Sequence, residues 1–515
     1  MKKTILALGL VYALIGCKRD AAEEMNEQVL GNALTERVER VTLPESPLSK
    51  QDVDQVLKTF LEREHDFHWH WAKPEVIWSA AHYGDSTVAI GYSINGVKSI
   101  DEISHTINLK EGKWKTTHDA LIDLIVKVAS ESAGRPIEWK EIMIEDDEYL
   151  PILTIKMVDR NVIERLMNLE NVRYIEPLDF RLIEQEEIDS RSSSGCSPST
   201  YGMNSADFTW TTPNCYIPWN FNNMNIPSAW SSVQGQGITV GVIDAGISSS
   251  QALLNSSFNN GDSNVGRVRS LAYSLGTSAY TTCSHGTAMS GLAVGPRNNV
   301  GATTGVAYKS NLNFVRACND VVLDASAERT AVKNALVYLG NTADVRVISM
   351  SIGTPFGSSV LLDGVNYAHN KGKMVMAAAG TSFSWTSWWG VIYPAAYSNC
   401  VAVTGVNESS QTCADCHDGG EVDFTVIMER NTNDSRNSVS LPQSGSTLTY
   451  IGGSSAATAT AAGIASLVWS VDPSMTRSQV LNLLTITSQN YPNQNGSKGW
   501  GNLNAAAAVS AAVNL

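Results

Sequence analysis

From residue 226 onward, short apolar runs alternate with stretches whose apolar positions recur at helical spacing. Ile238-Thr-Val-Gly-Val-Ile, Leu312-Asn-Phe-Val-Arg, Val345-Arg-Val-Ile-Ser-Met, Met374-Val-Met-Ala-Ala-Ala and Val401-Ala-Val are short and rich in β-branched or apolar residues. Parallel strands buried on both faces read this way. Residues 325–339 and 361–370 have helical spacing, and Thr476-Arg-Ser-Gln479 is a capping box opening a further helix. The pattern predicts an α/β fold over residues 216–515, a mostly parallel sheet flanked by helices. In such sheets reactive groups sit beyond the carboxyl ends of the strands, where Asp244 falls.

The pattern upstream is different. Residues 116–182 alternate helical spacing (118–128, 161–169) with strand-like runs (150–157, 172–177), which predicts a small α+β domain. Residues 45–115 hold a tryptophan-rich segment and the alternating run Ser86-Thr-Val-Ala-Ile-Gly-Tyr-Ser, with no assignable fold. Residues 183–215 open on a hydrophilic linker and form the expected processing zone, while 17–44 read as a polar tether. Residues 1–16 join Lys2-Lys3 to an apolar stretch too short to cross a bilayer. The stretch ends Leu14-Ile15-Gly16-Cys17, which resembles the lipobox of bacterial lipoproteins. That resemblance implies export, lipidation at Cys17 and a precursor anchored in the cell envelope.

Composition narrows the partners. A chain of 515 residues with 43% hydrophobic content has room for two or three domains, each with its own core. The formal net charge is −14 and no run is rich in Lys or Arg, which argues against nucleic acid as a partner. Cysteines stand at 17, 196, 215, 283, 318, 400, 413 and 416. Export permits disulfides, and Cys196–Cys215 and Cys283–Cys318 are candidate local pairs that spacing alone does not decide. Cys413-Ala-Asp-Cys416-His417 matches a haem-attachment pattern, but without an evident distal ligand a disulfide-bearing loop is the expectation. His65-Asp-Phe-His68-Trp-His70 offers metal-ligating groups, yet reads more simply as a mixed aromatic surface strand.

Three segments carry the chemistry. Gly241-Val-Ile-Asp244 ends a strand, Ser284-His285-Gly-Thr opens the stretch after it, and Gly452-Gly-Ser-Ser455-Ala-Ala opens an alanine-rich helix. Ser455 is a nucleophile once a base takes its proton, His285 suits that base, and Asp244 would hold the imidazole. The order Asp, His, Ser is that of subtilisin and not of chymotrypsin or the α/β-hydrolases. The chain thus resembles the subtilisin-like serine peptidases. The resemblance implies a secreted serine endopeptidase made as a pro-enzyme, acting on protein or peptide substrates. The segment ending at Pro177 resembles the close of an inhibitory pro-domain, so the chain's own pro-region is the implied inhibitor. No cofactor is required for the chemistry. The family often binds structural calcium, but no dedicated loop is evident here.

The resemblance also assigns finer roles. The Ser455 backbone N–H would face a developing oxyanion. Ala377-Ala-Ala-Gly380-Thr381 matches a family segment in which an asparagine follows the glycine and donates a side-chain amide to that oxyanion. Here Thr381 stands in that place, with Ser382 as a substitute donor. Ser351-Ile352-Gly353 resembles the edge that pairs with substrate, and Ala378 and Gly380 would line the pocket before the scissile bond. The cluster Trp385, Trp388 and Trp389 reads as core rather than subsite. Thr381 also admits an alternative, a non-catalytic or self-processing-only surface lipoprotein on the same scaffold.

Overall fold

Backbone pairing, more than chain order, decides which segments fold together. The computed structural model describes residues 33–64, 66–156, 159–182, 195–197, 199–323, 325–381 and 390–515. The signal segment, Cys17, His65, most of the linker before Cys196, Ser382 and the three tryptophans 385, 388 and 389 lie outside the described residues. The chain divides into two compact units, one within Met1–Val53 and Trp69–Phe180, the other within Asp54–His68 and Arg181–Leu515.

The first unit is α+β. Strands β1 (Thr87–Tyr92), β2 (Met143–Asp146), β3 (Ile152–Lys156) and β4 (Val172–Pro177) form an antiparallel sheet in the order β2-β3-β1-β4. Helices α1 (Gly112–Ala133) and α2 (Arg160–Met167) accompany it. Two expectations are corrected here. The boundary at residue 116 cuts through one sheet, because β1 is buried along its length and pairs Ile90 with both Leu153 and Ile175. An interior strand carries backbone donors and acceptors along both edges, and each edge needs a partner wherever it lies in the sequence. The tether expected over 17–44 is in part ordered chain. Thr35 and Val41 donate backbone N–H groups to the Asn171 and Asn168 side chains, both at 2.7 Å, and Leu43 is buried.

The second unit is built on a seven-stranded, wholly parallel sheet. After a hairpin of β5 (Phe208–Thr211) and β6 (Cys215–Pro218) come β7 (Thr239–Asp244), β8 (Arg269–Tyr273), β9 (Asn311–Arg316), β10 (Val345–Met350), β11 (Met374–Ala378), β12 (Val401–Asn407) and β13 (Phe424–Glu429). Their spatial order is β13-β12-β11-β10-β7-β9-β8. Every ladder is parallel. The α/β expectation holds, and every predicted interior strand is present.

Side chains alternate between two cores. Val240, Met374, Met376 and Val403 pack with α3 (His285–Val294) and α6 (Gly453–Trp469) on one face. Ile348, Val375, Ala377 and Ala402 pack with α4 (Ser326–Asn341) and α5 (Ser359–Asn370) on the other. The sequence reading missed the two edge strands. β8 is half-exposed and mixed in polarity, so period alone is silent there. β13 is fully buried, and its Phe-Thr-Val-Ile-Met run was a legible signal.

The segment around His68 is also corrected. Phe67 is fully buried, stacks edge-on to Phe356 at 6.1 Å and accepts a hydrogen bond from Gly357 N. The Tyr393 hydroxyl lies 2.8 Å from the Asp66 carboxylate and 2.9 Å from His68 Nε2. These are interior contacts of the second unit, not a surface strand, because burying Phe67 removes a large apolar side chain from water while Asp66 and His68 keep a polar partner in the Tyr393 hydroxyl.

A buried carboxylate fixes the start of this unit. Asp207 takes hydrogen bonds from Arg430 Nε (2.9 Å), Arg436 Nη2 (2.7 Å) and the Tyr450 hydroxyl. Burial by itself would raise its pKa, but the bonds from Arg436, Tyr450 and Arg430 overcome it and hold the carboxyl below its ordinary value. A depressed acid stabilises the fold above its unfolded pKa of about 3.9 and ceases to do so as pH falls through the lower folded value. Asp207→Asn is therefore expected to cost about 2 kcal/mol at neutral pH, lowering the thermal midpoint. The gap from wild type should begin to narrow as pH falls below the unfolded value of about 3.9, and should close once pH passes the lower value of the folded Asp207 carboxyl. Calorimetry of both proteins across that range checks it.

Candidate active site

Register places the site. β7 and β10 are adjacent and pair Ile243 with Met350, and β10 pairs Met350 with Ala377 of β11. The next residue on each strand is Asp244, Ser351 and Ala378, so these three stand at one level at the carboxyl rim.

His285 opens α3 above that rim. Its Nδ1 lies 2.9 Å from both Asp244 oxygens, and the acid is fully buried. Asp244 Oδ1 also accepts the Ala245 N–H at 2.7 Å. A carboxylate only accepts, so Nδ1 carries the proton and Nε2 keeps its lone pair in the neutral ring. Sequence placed these two residues together, 41 positions apart, and the fold brings them into hydrogen-bond contact.

Ser455 lies in the first turn of α6, where backbone N–H groups have no helical partner. Its hydroxyl donates to Ser351 O at 3.4 Å, and the Ser351 hydroxyl donates to Ser455 O at 3.0 Å. These bonds seat Ser455 on the end of β10, one strand from Asp244. Among the described residues no hydrogen bond joins Ser455 to His285. The turn before it needs glycine: Gly453 has φ +74°, and an added Cβ would lie 2.7 Å from Thr381 Oγ1.

Thr381 sits across that turn. Its hydroxyl is 3.2 Å from the Ser454 hydroxyl, which also accepts the Gly380 N–H at 3.1 Å. Ser454, buried and read in the sequence only as a motif position, is thus the link between the two segments. The Cys413-x-x-Cys416-His417 loop closes as a disulfide, as expected. Cys416 bridges to Thr381, and His417 N donates to Gly380 O at 3.0 Å. Gly380 has φ +126°, and a Cβ there would meet the His417 ring at 2.4 Å. No sequence signal marked His417 as a support of this segment.

The expected substrate edge is already occupied at one end. Gly353 N donates to Val321 O at 2.9 Å, and Leu323 N donates to Gly353 O at 2.8 Å. Both backbone groups of Gly353 are used by the chain's own 321–323 segment, so a peptide would have to displace it there. Ile352 packs into the core and Ala378 is buried at the rim.

The cysteine pairing is corrected. Cys196 bonds to Cys283, not Cys215, and Cys318 is not joined to Cys283. Cys215, Cys318 and Cys400 are free and buried. Proximity in sequence does not bring Cα atoms within bonding range; Cys215 is carried into β6, where its thiol meets Ala302 O at 3.2 Å. Among the described residues no group of three His, Cys, Asp or Glu is placed to hold a metal. No described helix is long and apolar enough to cross a membrane.

Comparison with known proteins gives the family. The model of the subtilase family matches residues 235–501. Subtilisin Savinase of Lederbergia lenta is 30% identical over 296 residues, 57% of this chain and 98% of that protein. Subtilisin E of Bacillus subtilis (strain 168) is 32% identical over 297 residues, 57% of this chain and 71% of that protein. The crystal structure of fervidolysin from Fervidobacterium pennivorans, a keratinolytic enzyme related to subtilisin, covers 82% of this chain and 60% of its own, with TM-score 0.56 and 14% identity, a likeness of fold. The chain belongs to the subtilase family and is a serine endopeptidase.

Proposed function

We propose that Asp244, His285 and Ser455 are the catalytic triad of this endopeptidase. The buried Asp244–His285 hydrogen bond carries the reading, because it sets the imidazole tautomer a general base needs. Ser455 attacks the peptide carbonyl as His285 Nε2 takes its proton. The leaving amine receives that proton, and water then releases the acyl-enzyme. For attack, the Ser455 hydroxyl rotates from Ser351 O toward the ring.

The Ser455 N–H and the Thr381 hydroxyl are the oxyanion donors in this reading. Ser454 accepts from Gly380 N–H, so its own proton can go to Thr381 Oγ1, which leaves the Thr381 proton for the oxyanion. Ser351, Ala378 and Gly380 border the substrate cleft, and Gly353 joins them once the 321–323 segment yields.

The enzyme is made as an exported, lipid-anchored precursor that cuts itself and is inhibited by its own pro-region. The N-terminal pattern ending at Cys17 supports the anchor. The cut lies upstream of Cys196. Downstream of it the chain is tied into the second unit, with Asn204 N on the Tyr450 hydroxyl at 3.0 Å, Asp207 on its arginines, and the β5–β6 hairpin. Cleavage needs an extended, accessible backbone. Release from the anchor then also requires the Asp66–Phe67 contacts to part.

Ser455→Ala should abolish both peptide hydrolysis and labelling by a fluorophosphonate probe; a label that survives it would sink the triad. Thr381→Val should lower kcat by about a hundredfold with KM little changed, and Thr381→Asn should restore it. Steady-state kinetics on a chromogenic peptide reads both. On gels, the pro-region and mature fragment should separate without reductant, and the mature N-terminus should map upstream of Cys196. Fragments that part only after reduction would place the cut downstream of Cys196.

A further inference from the structure

The linker runs beside the imidazole. Gly195 has φ +78°, and a Cβ there would lie 3.7 Å from His285 Cδ2 and 3.2 Å from the Val321 methyls. The next residue, Cys196, is bonded covalently to Cys283, two positions before His285. The Cys196 carbonyl accepts both the backbone N–H of Ser284 (3.0 Å) and its hydroxyl (2.8 Å). Ser284 caps α3, and His285 is that helix's first residue. Cys283 and Ser284 are thus tied to one short piece of linker, which also lies along the carbon edge of the ring. Asp244 holds the opposite, nitrogen edge.

We infer that Gly195–Cys196 is a positioning clamp for His285. It keeps the imidazole at a fixed angle to Ser455 and stays with the enzyme after the upstream cut. The inference rests on His285 being the base, as proposed above. Helix N-termini fray, and at the start of α3 the Cys196–Cys283 bond and the two bonds to the Cys196 carbonyl add to the Asp244 hydrogen bond in opposing this. Without the clamp the ring keeps its Asp244 bond but can swing about it. Misplacement of a reacting group by about 1 Å costs on the order of a hundredfold in rate. Binding should be spared, because opening the Cys196–Cys283 bond leaves the Ser351 and Ala378 rim untouched and keeps Gly195, whose neighbour Val321 holds Gly353, unchanged in sequence.

The test compares the Cys196→Ala/Cys283→Ala double variant with wild type in processed enzyme. The expected result is kcat lower by about ten- to a hundredfold with KM within about twofold, measured well below the variant's thermal midpoint. Ser284→Ala, which removes one of the two bonds to the Cys196 carbonyl, should show a smaller fall in kcat, again without change in KM. If the double variant fails to fold, the bond can be opened after folding. In a Cys413→Ala/Cys416→Ala background, a small dithiol gives two electrons and two protons to Cys196–Cys283 and itself becomes a cyclic disulfide. Turnover should fall on reduction and return on reoxidation. Unchanged kcat with only a lower thermal midpoint overturns the clamp, and so does a rise in kcat, which would mark the linker as an obstruction. Turnover that survives Ser455→Ala instead sinks the catalytic reading, and the clamp with it.

Discussion

A fully buried carboxylate that cannot be left alone governs the rim of this sheet. An unpaired ionised acid in the interior costs several kcal/mol, and Asp244 avoids this through Ala245 N and the His285 ring. Satisfying it forces α3 to begin where the imidazole can reach. The turn before α3 must then be held in place, which is where Ser284 and the Cys196–Cys283 bond come in. The His285 half of the site follows from that first demand.

The second half of the site answers to packing. α6 runs through the middle of the unit, buried nearly throughout and built mostly of alanine, glycine, serine and threonine. Small side chains let it lie close against β10, β12 and β13, so its first turn arrives at the rim with Ser455 on Ser351. The same closeness leaves no room at Gly453, whose missing Cβ is the space that Thr381 fills. Thr381, Ser454 and Gly380 then form one hydrogen-bonded unit, backed by the disulfide loop and His417. A threonine at the amide's position is thereby part of a network and not a bare replacement.

The edge at Gly353 is held by a segment of the chain's own backbone. The 321–323 segment holds Gly353, and Gly195 packs on Val321 from the side of His285. A strand edge with its donors and acceptors already paired does not invite adventitious strands. In the proposed reading, a peptide pairing at Gly353 would exchange hydrogen bonds instead of adding them.

The sequence by itself determined the parts that depend on local pattern. The interior strands read from β-branched apolar runs, the helices from their spacing, and Asp244, His285 and Ser455 from short motifs in a fixed order. Ser455 and Thr381 were each read from a separate motif, and the turn at Gly453 that brings the two segments together was not legible there. Only the tertiary structure decided what depends on distance through space. It chose Cys283 over Cys215 as the partner of Cys196, drew β1 into a sheet with β3 and β4, and gave Gly353 to Val321 and Leu323. Long-range pairing is selected by complementary faces and unsatisfied backbone groups, and neither is written in the spacing of residues along one strand.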